Sequence, residues 1–126
     1  AKRHSIAKVY NDEFASLPIT TPWQDPKHYS SFHLYIIRID SLKLDHLKFF
    51  QGLIAANINV NLHYIPIYRH PFYQQFGYKV EHFPEAEEYY SQAISLPMFP
   101  TLRQNQQEHV VDTIKKLCIS ARINQY

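Results

Sequence analysis

The chain has 126 residues and a mass of 15.0 kDa, the size of one domain, and its 13 Lys plus Arg against 11 Asp plus Glu leave a net charge of only +2, too weak by itself to mark a nucleic-acid or membrane partner. Two glycines, where ordinary usage is about 7%, exclude the glycine-rich phosphate loops in which backbone must approach an anion closely. A single cysteine, Cys118, excludes an internal disulfide framework and any multi-cysteine zinc site, and fits a reducing compartment.

From the N-terminus, Ile6, Val9, Tyr10, Phe14 and Leu17 recur at steps of three and four, so residues 2–17 read as an amphipathic helix closed by Pro18. Residues 20–29, with Pro22, Asp25 and Pro26, read as a loop. The β-branched and aromatic run 32–40 reads as the strongest strand of the chain, ended by Asp40 and Ser41. A second helix follows over about 43–56, capped by Ser41 or Asp45, with Leu47, Phe50, Leu53 and Ile54 as its stripe. Asn57 stands where a left-handed helix stop belongs. Residues 58–64 alternate apolar and polar as a half-buried strand does. Pro66 and Pro71 bracket a bend, and 69–76 forms a short helix stopped by Gly77.

Pro84 opens a helix over 84–93, whose Glu85, Glu87 and Glu88 suit its positive end. Residues 95–99 are extended between Pro97 and Pro100, and a last helix spans about 105–119 on Val110, Val111, Ile114 and Leu117. Aromatic residues reach 15%, enough for a real core. No apolar run approaches the roughly 20 residues needed to cross a bilayer. The order is too uneven for a doubly wound sheet, and an α+β fold, a small sheet covered by helices, is the natural packing.

Four chemistries are weak in this sequence. His63 and His70 flank a proline-bent loop and His28 and His33 span a loop–strand junction, neither a rigid spacing for a metal. Cys118 falls on the apolar side of the last helix, where a thiol serves as a small hydrophobe. The three glutamates at the start of the 84–93 helix answer its dipole before they answer a need for paired acids. Lys2, Arg3 and Lys8, with Tyr64, Tyr68 and Tyr73 downstream, fall short of a nucleic-acid surface because acids balance the cations and the tyrosines lie among prolines.

One segment stands out: Asn61-Leu-His63-Tyr64-Ile-Pro66-Ile-Tyr68-Arg69-His70-Pro71-Phe72-Tyr73. A strand end displays His63 and Tyr64, and two proline-fixed bends keep Tyr68, Arg69, His70 and Tyr73 nearby. Imidazole, phenol and guanidinium suit a phosphate or a sugar hydroxyl. This segment, with the strand Phe32-His33-Leu34-Tyr35-Ile36-Ile37-Arg38 before it and Ala86-Glu-Glu-Tyr89-Tyr90 and Ser95-Leu96-Pro97-Met98-Phe99-Pro100 after it, resembles the C-terminal small domain of the DegT/DnrJ/EryC1/StrS sugar aminotransferases. The resemblance runs in order over nearly the whole chain. Asn57-Ile58 stands where that family usually has Gly-Ile. Residues 93–100 most resemble the members that make UDP-4-amino-4,6-dideoxy-N-acetyl-altrosamine.

The resemblance implies a mostly antiparallel sheet of about three strands, as in the small domain of fold-type I aminotransferases. It implies residues 1–17 as a connecting helix and 32–126 as the domain proper, with the catalytic large domain absent. Opening on Ala1 agrees with a piece of something longer. The parent is expected to be a cytoplasmic homodimer of polysaccharide biosynthesis that uses pyridoxal phosphate and moves the amino group of glutamate to a 4-keto-6-deoxy sugar nucleotide, without nucleic-acid or membrane partners. His63 and Tyr64 are then expected to line the nucleotide-sugar entrance, with Asn61, His70 and Tyr73 beside them. No lysine here stands in the family's Schiff-base context, so the chain alone is expected to bind no cofactor and to be inactive. The alternative is a stand-alone binding module that kept the fold. A separated domain is also expected to self-associate, the apolar stripe of its first helix having lost its partner.

Overall fold

Strand β2 (Tyr35–Ile39) lies at the centre of the computed structural model, which describes residues 1–123. Its Tyr35, Ile37 and Ile39 are fully buried and alternate with half-buried Ile36 and Arg38, as a pleated strand between two unequal layers requires. On one edge it pairs antiparallel with β1 (Ile19–Thr20), Ile19 facing Ile39; on the other with β3 (Ala93–Leu96), Tyr35 facing Leu96. The sheet is therefore three-stranded and antiparallel, in the order β1-β2-β3. Helices α1 (Lys2–Phe14), α2 (His46–Ala55) and α5 (Gln104–Ile123) cover the Tyr35 face. The short α3 (Pro71–Gln74) stands away from the sheet, while Tyr89 of α4 (Pro84–Gln92) lines a shallow cavity together with Leu34, Ile36 and Arg38. This is the expected α+β architecture.

The core is aromatic at its centre. Tyr10 lies 5.5 Å from Phe14 and 5.0 Å from Tyr35, ring to ring. Both phenols keep a partner: Tyr10 donates to the Pro97 carbonyl (3.1 Å) and Tyr35 to Asn11 Oδ1 (2.5 Å). Burial raises both phenol pKa values well above the usual range. Cys118 is buried, packed on the apolar side of α5.

Several local expectations change. Helix α1 stops at Phe14, three residues early, and buries Ile6, Ala7, Tyr10 and Phe14 while Val9 stays exposed. Its stripe does not lack a partner: it packs on α5, where Gln107 Nε2 donates to the Ile6 carbonyl (2.8 Å) and Lys115 pairs with Glu13. The expectation of self-association through this stripe therefore loses its basis. Asp45 rather than Ser41 caps α2, accepting from the Lys48 amide at 2.9 Å. That helix buries Phe49 and Leu53, with Phe50 half-buried, and exposes Leu47 and Ile54, because it lies at the rim and needs only a narrow i, i+4 stripe.

Residues 58–64 keep their alternation, with Ile58 and Val60 buried and Asn59 exposed, but pair with the sheet only at Asn61–Ser95. The Asn61 side chain accepts from the next amide, Leu62, at 2.7 Å, a local bond that competes with a longer ladder. Strand β3 spans 93–96 instead of 95–99, since Pro97 has no amide to offer. The helix expected over 69–76 is split into a 3₁₀ turn (Ile67–Arg69) and α3, because a residue before proline avoids the helical region and His70 is extended (ψ 140°). Thr20, read as the start of the loop, instead pairs with the sheet as part of β1, an element too short for a periodicity.

Candidate functional site

The bridge between Asn61 and Ser95, with amide–carbonyl distances of 2.8 and 3.2 Å, is the point from which the chain leaves the sheet. From there it forms an arm. Residues 69–82 are all exposed, and Tyr68 is the buried residue that ties the arm down.

At the root of the arm the His63 ring turns back onto β3, its Nδ1 2.7 Å from Ser95 Oγ. Tyr64 meets that ring edge-on at 4.7 Å and is 74% exposed. Further out, Tyr68 stacks on Phe83 (4.3 Å) and donates its hydroxyl to Glu87 Oε1 at 2.6 Å. Arg69 donates its Nε to the same oxygen (2.7 Å) and its Nη2 to Oε2, a bidentate pair, with its guanidinium over the Tyr90 ring at 5.0 Å. Arg69, then Tyr68, hold the Glu87 carboxyl below its usual pKa, and Glu87 holds Arg69 above its own. Desolvation first, then Glu87, pushes the Tyr68 phenol up. Glu87 therefore ties the arm to α4, a duty beyond the helix dipole.

The expected site residues divide into two groups. Asn61, His63 and Tyr64 gather at Ser95, whereas Tyr73 lies beyond Tyr68 in a shallow aromatic cavity of about 400 Å³ with Phe76, Tyr78 and Phe83. His70 is exposed, its carbonyl accepting from the amides of Tyr73 (2.9 Å) and Gln74 (3.1 Å) at the start of α3. Sequence reasoning missed Ser95 and Glu87 as members of the site. Ser95 carried a signal, a lone hydroxyl inside the apolar run 93–96; Glu87 carried none that set it apart from Glu85 and Glu88.

Other histidines have structural partners. His4, His46 and His109 donate Nε2–H to the carbonyls of Ser30 (2.8 Å), Ala93 (3.0 Å) and Ala56 (2.8 Å). Among the described residues no three His, Cys, Asp or Glu side chains converge as metal ligands would, and no helix is long and apolar enough to cross a membrane.

A three-stranded antiparallel sheet backed by helices is the α+β architecture seen in the small domain of sugar aminotransferases. The chain belongs to the DegT/DnrJ/EryC1/StrS aminotransferase family, which it matches over residues 1–115. A protein of Streptococcus pneumoniae assigned to the sugar aminotransferases, Spr1654, superposes with a TM-score of 0.89 at 25% identity, over 98% of this chain and 32% of its own. Spr1654 also has a form with pyridoxal phosphate, which superposes at 0.87. Helicobacter pylori PseC, an aminotransferase involved in pseudoaminic acid biosynthesis, superposes at 0.82 with 29% identity, over 94% of this chain and 32% of its own. The uncharacterized protein MJ1066 of Methanocaldococcus jannaschii is 41% identical over 120 residues, 92% of this chain. The chain spans only 31% of the length of that relative.

The residues present do not fit pyridoxal phosphate. Schiff-base chemistry needs a lysine set in a cavity with a partner for the ring nitrogen. Here every lysine is exposed except half-buried Lys115, which pairs with Glu13. A cavity of about 580 Å³ between Asn57, Phe99 and His109 is lined by no lysine and no carboxylate, and Lys8, which lines another of about 480 Å³, is exposed and paired with Asp12.

Proposed function

We propose that this chain is the substrate-facing C-terminal domain of a pyridoxal-phosphate-dependent aminotransferase that passes the amino group of glutamate to a 4-keto-6-deoxy sugar nucleotide. In this reading the parent is a cytoplasmic homodimer of polysaccharide biosynthesis, residues 1–17 connect to its catalytic domain, and 32–126 form the small domain. The observation that carries the reading is the display of His63 and Tyr64 at the root of an exposed arm, at a sheet edge, with no carboxylate bonded to either among the described residues. Such donors suit a diphosphate or a sugar hydroxyl. Asn61, His70 and Tyr73 contribute further contacts along the arm. The resemblance of residues 93–100, together with the match to PseC, supports UDP-4-amino-4,6-dideoxy-N-acetyl-altrosamine as the product.

The test is amine transfer from glutamate. The 126-residue chain supplied with pyridoxal phosphate is expected to give no turnover. In the full-length protein, His63→Ala and Tyr64→Phe are expected to raise KM for the nucleotide sugar while leaving KM for glutamate unchanged. A charge-assisted bond lost in this way costs roughly 1.5–3 kcal/mol, about ten- to a hundredfold. Turnover by the chain alone, or equal effects on both substrates, would overturn the reading.

A further inference from the structure

We infer that Ser95 is a positioning residue for His63: its hydroxyl donates to Nδ1, places the ring proton on Nε2, and so makes the neutral imidazole a hydrogen-bond donor for an oxygen of the ligand. The inference rests on the reading that His63 meets the nucleotide sugar, and deepens it by stating how the ring is prepared.

The argument is one of accounting for every polar atom. Ser95 is 4% exposed, set in a strand whose side chains are all buried. Its amide and carbonyl are both engaged by Asn61. The hydroxyl has one hydrogen-bond partner among the described residues, His63 Nδ1 at 2.7 Å. A serine hydroxyl has one proton to give and lone pairs to offer. Were it to accept from Nδ1–H, its own proton would be left buried without an acceptor, at the full desolvation cost of an unmet donor. Donating to Nδ1 removes that cost and leaves only lone pairs unused, which is the cheaper deficit. A neutral imidazole that accepts at Nδ1 carries its proton at Nε2.

The contrast with the other histidines gives this its functional sense. His4, His46 and His109 direct Nε2–H at backbone carbonyls, so their donor is consumed by the fold. The His63 ring is held from its other nitrogen, by a group able to donate, and its Nε2–H has no acceptor among the described residues. Beside it stands the exposed Tyr64 hydroxyl. Two neutral donors at one edge suit the oxygens of a diphosphate or a sugar, and a wrong tautomer would present a lone pair to them instead.

Two measurements decide the matter. In the 126-residue chain with ¹⁵N-labelled histidine, two-bond ring correlations recorded on the neutral ring are expected to show His63 protonated at Nε2 and bare at Nδ1. Ser95→Ala should move the Nδ1 resonance and let the two tautomers mix, while Ser95→Thr retains the wild-type pattern. A proton on Nδ1, or a ring spectrum indifferent to Ser95→Ala, overturns the inference. In the full-length enzyme, Ser95→Ala is expected to raise KM for the nucleotide sugar about two- to tenfold, the worth of one ordinary hydrogen bond. It should leave KM for glutamate alone and add nothing in a His63→Ala background. An undiminished effect in that background overturns the inference as well. Should His63→Ala itself leave the sugar KM unchanged, the substrate reading fails, and the ring spectrum still decides what Ser95 does.

Discussion

Glu87 joins Tyr68 and Arg69, nearly twenty positions away in sequence, and so fixes one end of the arm to α4. Its carboxyl is held below the ordinary value of 4.5, which makes the link dependent on pH. A carboxylate whose folded pKa is depressed stabilises the fold above its unfolded pKa and loses that contribution as pH falls through the lowered value. The Arg69 Nε–H is therefore expected to be protected from solvent exchange at neutral pH and to lose protection progressively on acidification below about pH 4.5. Glu87→Gln should weaken that protection at pH 7 and abolish its dependence on acid. Proton exchange measured by NMR checks both, and a protection factor constant from pH 7 to pH 3 would show that Glu87 does not hold the arm. Arg69 and Tyr68 were legible in the sequence as members of a dense polar and aromatic segment. Which of Glu85, Glu87 and Glu88 would face them was not, because that is set by the rotation of α4 against an arm with no periodicity of its own.

Among the elements, the end of α2 shows how local chemistry sets the path into the site. Asn57 takes the left-handed conformation (φ 60°), its amide bonds the Ile54 carbonyl (2.9 Å), and the Ile58 amide reaches back to Leu53 (3.0 Å). This is a Schellman stop, and the residues at its two ends, Leu53 and Ile58, are both in the core cluster. Asn57→Gly is expected to be neutral or to stabilise by a few tenths of a kcal/mol, whereas Asn57→Ala should cost roughly 1 kcal/mol because alanine has no local bond to offset the left-handed strain. Urea denaturation of the three proteins checks the order, and an alanine variant as stable as wild type would remove the stop from the account. This element was readable in advance since a helix end is decided by a few neighbouring residues. So were α1 and α5, whose apolar spacing survives packing, and α4, marked by Pro84 and its acids, while α2 was legible in extent although Leu47 and Ile54 of its expected stripe are exposed. The strand expected over 58–64 was not settled by its alternation: burial follows side chains, but a ladder also needs a partner, and β3 is cut short by Pro97. The two-residue β1 exists only because β2 offers an edge.

At the scale of the whole molecule, surface area separates body from arm. A compact monomer of this mass exposes about 7,000 Å², and this chain exposes 8786 Å². The buried apolar residues of the body form one continuous core from α1 through the sheet to α5, with Trp23, Tyr29, Leu42 and Leu47 left exposed on its surface. In the arm Tyr64, Ile67, Phe72, Phe76 and Tyr78 are all about half exposed or more. Two expectations follow from that division. The radius of gyration in solution should exceed the roughly 14 Å of a compact chain of this length. Chymotrypsin, which cuts after aromatic residues, should cut early between Phe72 and Tyr78 as well as at the exposed loop residues Trp23 and Tyr29, because α1 and α2 keep Tyr10, Phe14 and Phe49 buried. The two halves of the nicked chain should stay together, since β2 and β3 lie on opposite sides of the cut and remain paired across it, so far-UV circular dichroism should change little. Small-angle scattering and mass spectrometry of the early digest test both expectations. A compact radius, or an arm left uncut while Trp23 and Tyr29 are cleaved, would mean that the arm is folded onto the body in solution, and His63 and Tyr64 would then not be presented to a substrate as proposed.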